Sequence, residues 1–122
     1  MVRIILLFLC FVAVPSVAVA QNKKTAGRII DTLYKIKEVN ERFAYVEKQS
    51  GGERHLSFVF FTKPTKKDPY YWVKVLEYNN VSNVTHFNFF VYPKPFSIMY
   101  YDTVRDTVIS IDEWRRERSN QN

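Results

Sequence analysis

Cysteine, histidine and glycine are scarce in this chain of 122 residues, which has one cysteine, two histidines and three glycines. A single cysteine excludes an internal disulfide, so packing must stabilise the fold. Zinc needs three or four clustered ligands, and this composition predicts no metal site. The few glycines exclude a glycine-rich phosphate loop, and no serine lies in a nucleophile elbow. We therefore expect no cofactor and no catalytic residue.

An apolar run near the N-terminus predicts export. Arg3 precedes the run Ile4–Val14, a Pro-Ser pair breaks it, and Ala18-Val19-Ala20 places small residues where signal peptidase cleaves. The run is shorter than the about 20 apolar residues that span a bilayer. We predict a signal peptide over residues 1–20, containing Cys10, and a secreted or periplasmic domain over residues 21–122 with no membrane span.

Basic residues are in mild excess over acidic ones. Without Arg3, 17 lysines and arginines face 12 aspartates and glutamates. The local groups at residues 63–67 and 115–118 are typical of solvated loops and of a soluble helix face. Attraction to an acidic protein or glycan surface is the alternative interpretation. We expect no nucleic-acid partner for an exported chain.

Residues 25–49 have a helical period. Apolar side chains recur at steps of three and four from Ala26 to Phe43, and charged side chains take the opposite side. The Ser50-Gly51-Gly52 segment ends the pattern. It predicts one long helix or two helices hinged near residues 38–40, and we favour the hinged form because a single rod would overhang the sheet.

After Gly52 the period changes to two, which is typical of β-strands. Short segments rich in turn-forming residues separate the runs, and parallel strands would need longer crossovers, so the strands are predicted to be antiparallel neighbours. Asn80 and Asn83 begin two glycosylation sequons, which indicate an exposed turn. The four predicted strands are Leu56–Phe61, Tyr71–Tyr78, His86–Tyr92 and Phe96–Asp102.

The last twenty residues predict a turn and a short helix. Two Asp-Thr pairs in residues 102–107 indicate a turn stabilised by aspartate side chains rather than a calcium loop. Ser110 and Glu113 have the spacing of a capping box that opens a helix over residues 111–118, with Trp114 as its apolar anchor. The predicted fold class is therefore α+β, with the N-terminal helix on a four-stranded antiparallel meander and a short C-terminal helix.

The order of these elements over residues 25–102 resembles cystatin-like domains. In its hinged version it resembles the helix-loop-helix and four strands of secreted β-lactamase inhibitor proteins and small envelope assembly factors. The Gln-x-Val-x-Gly loop of the cystatins is absent, so their protease-inhibiting residues have no counterparts here. The runs at 70–75 and 85–89 are also similar to uncharacterised exported bacterial proteins, which implies no activity.

Aromatic residues are abundant in the strand region. Eighteen lie outside the leader and fourteen of these fall between Phe58 and Tyr101, more than one sheet face can bury under one helix. We therefore expect some of them on the opposite, outer face. If Phe87 and Phe89 face the helix, the outward row is His86, Asn88, Phe90 and Tyr92, joined by the set containing either Trp72 or Tyr71.

An exposed aromatic sheet face is typical of an interface. We predict a non-catalytic binding or inhibitor-like module that docks a protein or glycan partner, in the envelope or outside the cell, through this face. Cover by the terminal segment with Trp114, or by a second copy in a homodimer, are alternatives. The other class of function is a small-ligand or hydrolytic site between helix and sheet, using His55 or His86 with an aspartate.

Overall fold

The computed structural model describes residues 16–122, with side chains from residue 22 onwards. Its sheet is antiparallel, and each strand pairs with its neighbours in sequence in the order β1-β2-β3-β4-β5. The α+β class and the antiparallel meander predicted from the sequence are confirmed. The elements are α1 (Ser16–Tyr34), α2 (Lys37–Gln49), β1 (Leu56–Thr62), β2 (Tyr71–Tyr78), β3 (Asn83–Pro93), β4 (Phe96–Asp102), β5 (Thr107–Ser110) and α3 (Ile111–Ser119).

The predicted signal peptide overlaps this range only at residues 16–20, which belong to α1. Residues 1–15, with Cys10, lie outside the described residues, so export and cleavage after Ala20 stay predictions. Among residues 16–122, no helix combines the length and the apolar character that crossing a membrane requires.

In the part of the chain that the structure describes, two helices rather than one precede the sheet. They separate at residues 35–36, earlier than the hinge expected at 38–40, because Ile36 adopts an extended backbone (φ −65°, ψ 123°) and directs its side chain into the core. The α2 helix ends at Gln49, where Gly51 and Gly52 take positive φ angles of 62° and 84°. Glycine adopts such angles without the steric cost that a Cβ brings, so the predicted end of the helical pattern is confirmed.

A fifth strand was not predicted. The β5 strand pairs with β4, with Tyr101 opposite Val108, and its four residues are too few to show a clear alternation. The turn that joins the two strands is the one predicted from its aspartates. Asp102 Oδ1 accepts hydrogen bonds from the backbone N–H groups of Val104 and Arg105, at 3.0 and 3.2 Å.

The turn between β2 and β3 contains the two sequons. Asn79 Oδ1 accepts hydrogen bonds from the backbone N–H groups of Val81 and Ser82, and Asn80 takes a left-handed φ of 66°. Asn80 and Asn83 are both exposed. The turn is therefore exposed, as the sequons indicated.

All three helices of residues 16–122 pack on one face of the sheet, which we call the inner face. Ile29 and Leu33 of α1 and Val39 of α2 are fully buried against its central strands. The apolar stripe of the sequence therefore faces the sheet, as the period predicted. The core consists of Ile29, Leu33, Ile36, Val39, Val46, Leu56, Val73, Val75, Phe87, Phe89, Val91 and Trp114.

The C-terminal helix is fixed to the inner face by Trp114. Its ring stacks on Tyr100 at 4.5 Å between centroids and meets Phe87 and Phe89 edge-on at 5.7 and 6.0 Å. Ser110 Oγ accepts from the backbone N–H of Glu113 at 3.0 Å, so the predicted helix start is confirmed. The alternative in which this segment covers the outer face is wrong, because Trp114 is buried on the inner face.

Replacing Trp114 by alanine should destabilise the fold by about 3–5 kcal/mol, because it removes a large ring that is buried among three others. Urea unfolding followed by circular dichroism measures the change. Val81→Ala, at a side chain 91% exposed, is the control and should change stability by less than about 0.5 kcal/mol. Equal effects of the two substitutions would contradict this account of the core.

Candidate binding face on the outer side of the sheet

The opposite side of the sheet, the outer face, is aromatic and has no helix packed on it among the described residues. Because side chains alternate along each strand, the register decides which residues lie there. Trp72 pairs with Phe90, and Phe90 with Met99, so these three share the outer face across β2, β3 and β4. We define the outer face by Val59, Phe61, Tyr70, Trp72, Lys74, Asn88, Phe90, Tyr92, Met99 and Tyr101.

A stack of three rings forms the centre of the outer face. The ring of Phe90 lies between those of Tyr70, at 4.0 Å, and Tyr101, at 4.5 Å, with interplanar angles of 16° and 20°. Phe90 is only 6% exposed as a result. Phe90 therefore lies on the outer face, as expected, but offers little surface of its own because the two tyrosines cover it, while Tyr92 beside the stack is partly exposed. Its part in binding stays a prediction.

Trp72 connects this stack to β1. Its Nε1–H donates to Asn88 Oδ1 at 2.9 Å, and its ring meets Tyr101 and Phe61 edge-on at 5.2 and 4.7 Å. Asn88 is buried, at 9% exposed, and this hydrogen bond gives its amide oxygen a partner. Of the two sets left open by the sequence, the structure places the one with Trp72 on the outer face.

Among the residues that define the outer face, those of β1 are the most open to solvent. Phe61 is 53% exposed and Val59 37% exposed. The ammonium of Lys74 lies 3.8 Å from the centre of the Phe61 ring and 4.9 Å from that of Trp72. This cation-π contact holds a positive charge above an exposed aromatic surface.

Tyr71 and His86, two of the expected outer residues, lie on the inner face. The ring of Tyr71 meets that of Phe60 edge-on, with 5.7 Å between centroids, and lines a groove beside α1. His86 stands at a β-bulge, where the pairing of β3 with β2 jumps from Phe87 to Thr85. The extra residue reverses the expected alternation, so His86 turns towards α2. Sequence alternation alone gives no sign of such a bulge.

His86 belongs to a charged cluster between α2 and the sheet. Its Nδ1 accepts from Arg42 Nη1 at 3.2 Å, and its Nε2 lies 3.5 Å from Oε1 of Glu77, a residue only 3% exposed. Because a guanidinium only donates, Nδ1 is unprotonated and the ring proton lies on Nε2, facing Glu77. Arg54 Nη1, at 3.3 Å from Glu77 Oε2, completes the cluster.

Burial is the main cause that lowers the pKa of His86, and the positive charge of Arg42 lowers it further, while Glu77 opposes the shift. The neutral ring is thus the favoured form in the fold. His55, by contrast, is exposed just before β1, as expected. Within residues 22–122, no three side chains of the histidine, cysteine, aspartate and glutamate types cluster to hold a metal ion.

Three aromatic contributors to the outer face were not singled out by the sequence: Tyr70, Phe61 and Tyr101. Tyr70 precedes β2, outside any alternating run, and Phe61 lies where the pairing of β1 with β2 shifts by one residue. Tyr101 is held by a 2.6 Å hydrogen bond from its hydroxyl to Asp106 Oδ1. The aromatic excess of the strand region was the one signal that pointed to such residues.

Comparisons with known proteins found no match. No protein-family model matches the chain, and neither a curated protein nor a solved structure is significantly similar to it. The resemblance in layout to cystatin-like domains and β-lactamase inhibitor proteins stays a prediction.

His86 should make stability depend on pH just below neutrality. Unfolded histidine takes up a proton near pH 6.5, whereas folded His86 takes it up only at lower pH. The unfolded state therefore binds more protons in this window, and the free energy of unfolding should fall as pH falls below about 6.5. His86→Gln should lose this fall, as measured by urea unfolding between pH 7.5 and 5.5.

The matched control is His55→Gln, which replaces the exposed histidine and should keep the wild-type pH dependence. A His86→Gln protein with an unchanged slope would contradict the assignment of a neutral, buried ring.

Proposed function

We propose that this protein is an exported, non-catalytic binding module that docks a protein or glycan partner through its outer face. One observation carries the proposal: the described helices all lie on the inner face, so an aromatic sheet surface faces solvent. Contiguous apolar surface of this kind is typical of interaction sites. Tyrosine and tryptophan suit such a site because each combines an apolar ring with a hydrogen-bonding group.

The contacts within the outer face support binding rather than accidental exposure. Phe90 is held between two rings, Trp72 is fixed by its hydrogen bond to Asn88, and Tyr101 by its hydrogen bond to Asp106. A partner therefore meets side chains that are already ordered. Such preorganisation lowers the entropy lost on binding, and rigid aromatic residues dominate the energy of many interfaces.

The alternative function is a small-ligand or hydrolytic site between helix and sheet. The charged cluster on the inner face is the feature of the structure that most resembles such a site. A histidine and a carboxylate do meet there, but the side chains of His86 and Glu77 are only 13% and 5% exposed. Both ring nitrogens of His86 face charged protein groups, Arg42 and Glu77. This arrangement suits a contact that ties α2 to the sheet, and it favours docking as the function.

A second copy of the chain is the other partner that we consider, and it would pair with the edge of the sheet that borders the outer face. The β1 strand lies at the edge of the sheet and carries Phe58, Val59, Phe60 and Phe61 in succession without a charge. Uncovered edges of this composition pair readily with other strands. Sedimentation velocity over a range of protein concentrations distinguishes a homodimer from a monomer that awaits a different partner.

Substituting solvent-accessible aromatic residues of the outer face, the exposed Phe61 and the partly exposed Tyr92, should abolish binding and leave the fold intact. We expect the double variant Phe61→Ala, Tyr92→Ala to lose at least tenfold in affinity for a partner captured from the native envelope, since hot-spot residues each contribute about 2 kcal/mol or more. Affinity capture with quantitative mass spectrometry identifies the partner, and titration of the purified partner gives the Kd.

Tyr45→Ala is the matched control, because Tyr45 is 59% exposed and lies on α2, away from the outer face. Unchanged affinity of the double variant, or an equal loss with Tyr45→Ala, would overturn the proposed docking face. Unfolding of the double variant in urea at a much lower concentration than wild type would show that these side chains belong to the core instead.

A further inference from the structure

The positive charge of the molecule is concentrated at one end. The start of α1, the β1–β2 loop and the β3–β4 turn meet there, since Lys23 and Lys63 line one groove and the guanidinium carbon of Arg28 lies 3.9 Å from the centre of the Phe96 ring. We call this region the basic end. Its basic residues are Lys23, Lys24, Arg28, Lys63, Lys66, Lys67 and Lys94.

The basic end holds the entire charge excess of the described domain. Seven basic residues stand there against two acidic ones, Asp31 and Asp68, whereas the other ten basic residues are matched by ten acidic ones. All seven are exposed, and none of them forms an ion pair within the described residues. Away from this end, the arginines at 54, 105 and 115 are each paired with a carboxylate.

A largely apolar groove opens among these lysines. It has a volume of about 790 Å³ and lies between the first turns of α1 and the β1–β2 loop. Ala26, Phe60, Pro64 and Tyr71 form its apolar walls, and the exposed Lys23 and Lys63 also line it. The unpaired ammonium groups suit a partner with negative charges on its surface, and the apolar walls suit a partner with apolar groups just below those charges.

We propose that the basic end docks on a bilayer containing anionic phospholipids. Lysines close to such a surface each contribute about 1 kcal/mol of attraction, so unpaired charges on one end orient the molecule as well as bind it. The groove then receives apolar groups from the lipid interface.

This inference is independent of the proposed function, because the outer face and the basic end use different residues. A chain docked by its basic end brings the first turns of α1, the β1–β2 loop and the β3–β4 turn to the lipid, and none of the charged residues of this end belongs to the outer face as defined above. Membrane docking therefore leaves the aromatic stack free for a partner.

Vesicle flotation tests the proposal with the full chain and two triple variants of equal charge. Lys63→Gln, Lys66→Gln, Lys67→Gln removes three charges from the basic end, and Lys35→Gln, Lys48→Gln, Arg116→Gln removes three unpaired charges elsewhere. Wild type should bind phosphatidylcholine vesicles that contain phosphatidylglycerol far more tightly than phosphatidylcholine vesicles alone, and high salt should release it. The first triple should bind about a hundredfold more weakly, the second within a few-fold of wild type.

All three proteins carry the same N-terminal residues, so any contribution of the leader is common to them. Equal weakening by both triples would overturn the proposal, since net charge alone would then explain the binding. It would also be overturned if wild type did not discriminate between the two vesicle types. Lysine-dependent binding to heparin without binding to vesicles would identify a soluble polyanion, rather than a bilayer, as the occupant.

Discussion

The packing of Trp114 on the inner face is the constraint on which the rest of the structure depends. Stacked on Tyr100 and in edge contact with Phe87 and Phe89, it places the C-terminal helix on the side already occupied by α1 and α2. Arg115, the next residue, donates three hydrogen bonds of 2.9–3.1 Å to the carboxylate of Glu38 on α2. The chain therefore has no helix left, among the described residues, to cover the outer face.

An uncovered sheet face must be stabilised by contacts among its own side chains. Here aromatic rings that pack on one another provide those contacts. Phe90 is buried by Tyr70 and Tyr101 rather than by another layer of structure, and Trp72 satisfies the amide of Asn88 at the same time. The result is an ordered surface with Phe61 exposed at one margin. The basic end borders it, since Tyr70 lies at the end of the β1–β2 loop that carries three of the lysines.

The sequence predicted the parts of this fold that depend on local periods and turn residues. The helical stripe, four strands, the aspartate turn and the start of α3 follow from spacing, and the structure has them all. The sequence did not predict β5, which is too short to show an alternation. Nor did it predict the bulge at His86, which reverses the direction of that side chain without changing the alternation of apolar and polar residues. Nor could it place Trp114, because a single anchor residue carries no information about the face it joins.

The central claim is that the outer face is open to solvent while Trp114 is enclosed. Hydroxyl-radical footprinting of the monomeric protein, read by mass spectrometry, measures both at once. The structure predicts rapid oxidation of Phe61 and slow oxidation of Trp114, which are 53% and 4% exposed. Rapid oxidation of Trp114 together with protection of Phe61 would contradict the account, because the C-terminal helix would then lie elsewhere and the outer face would be core.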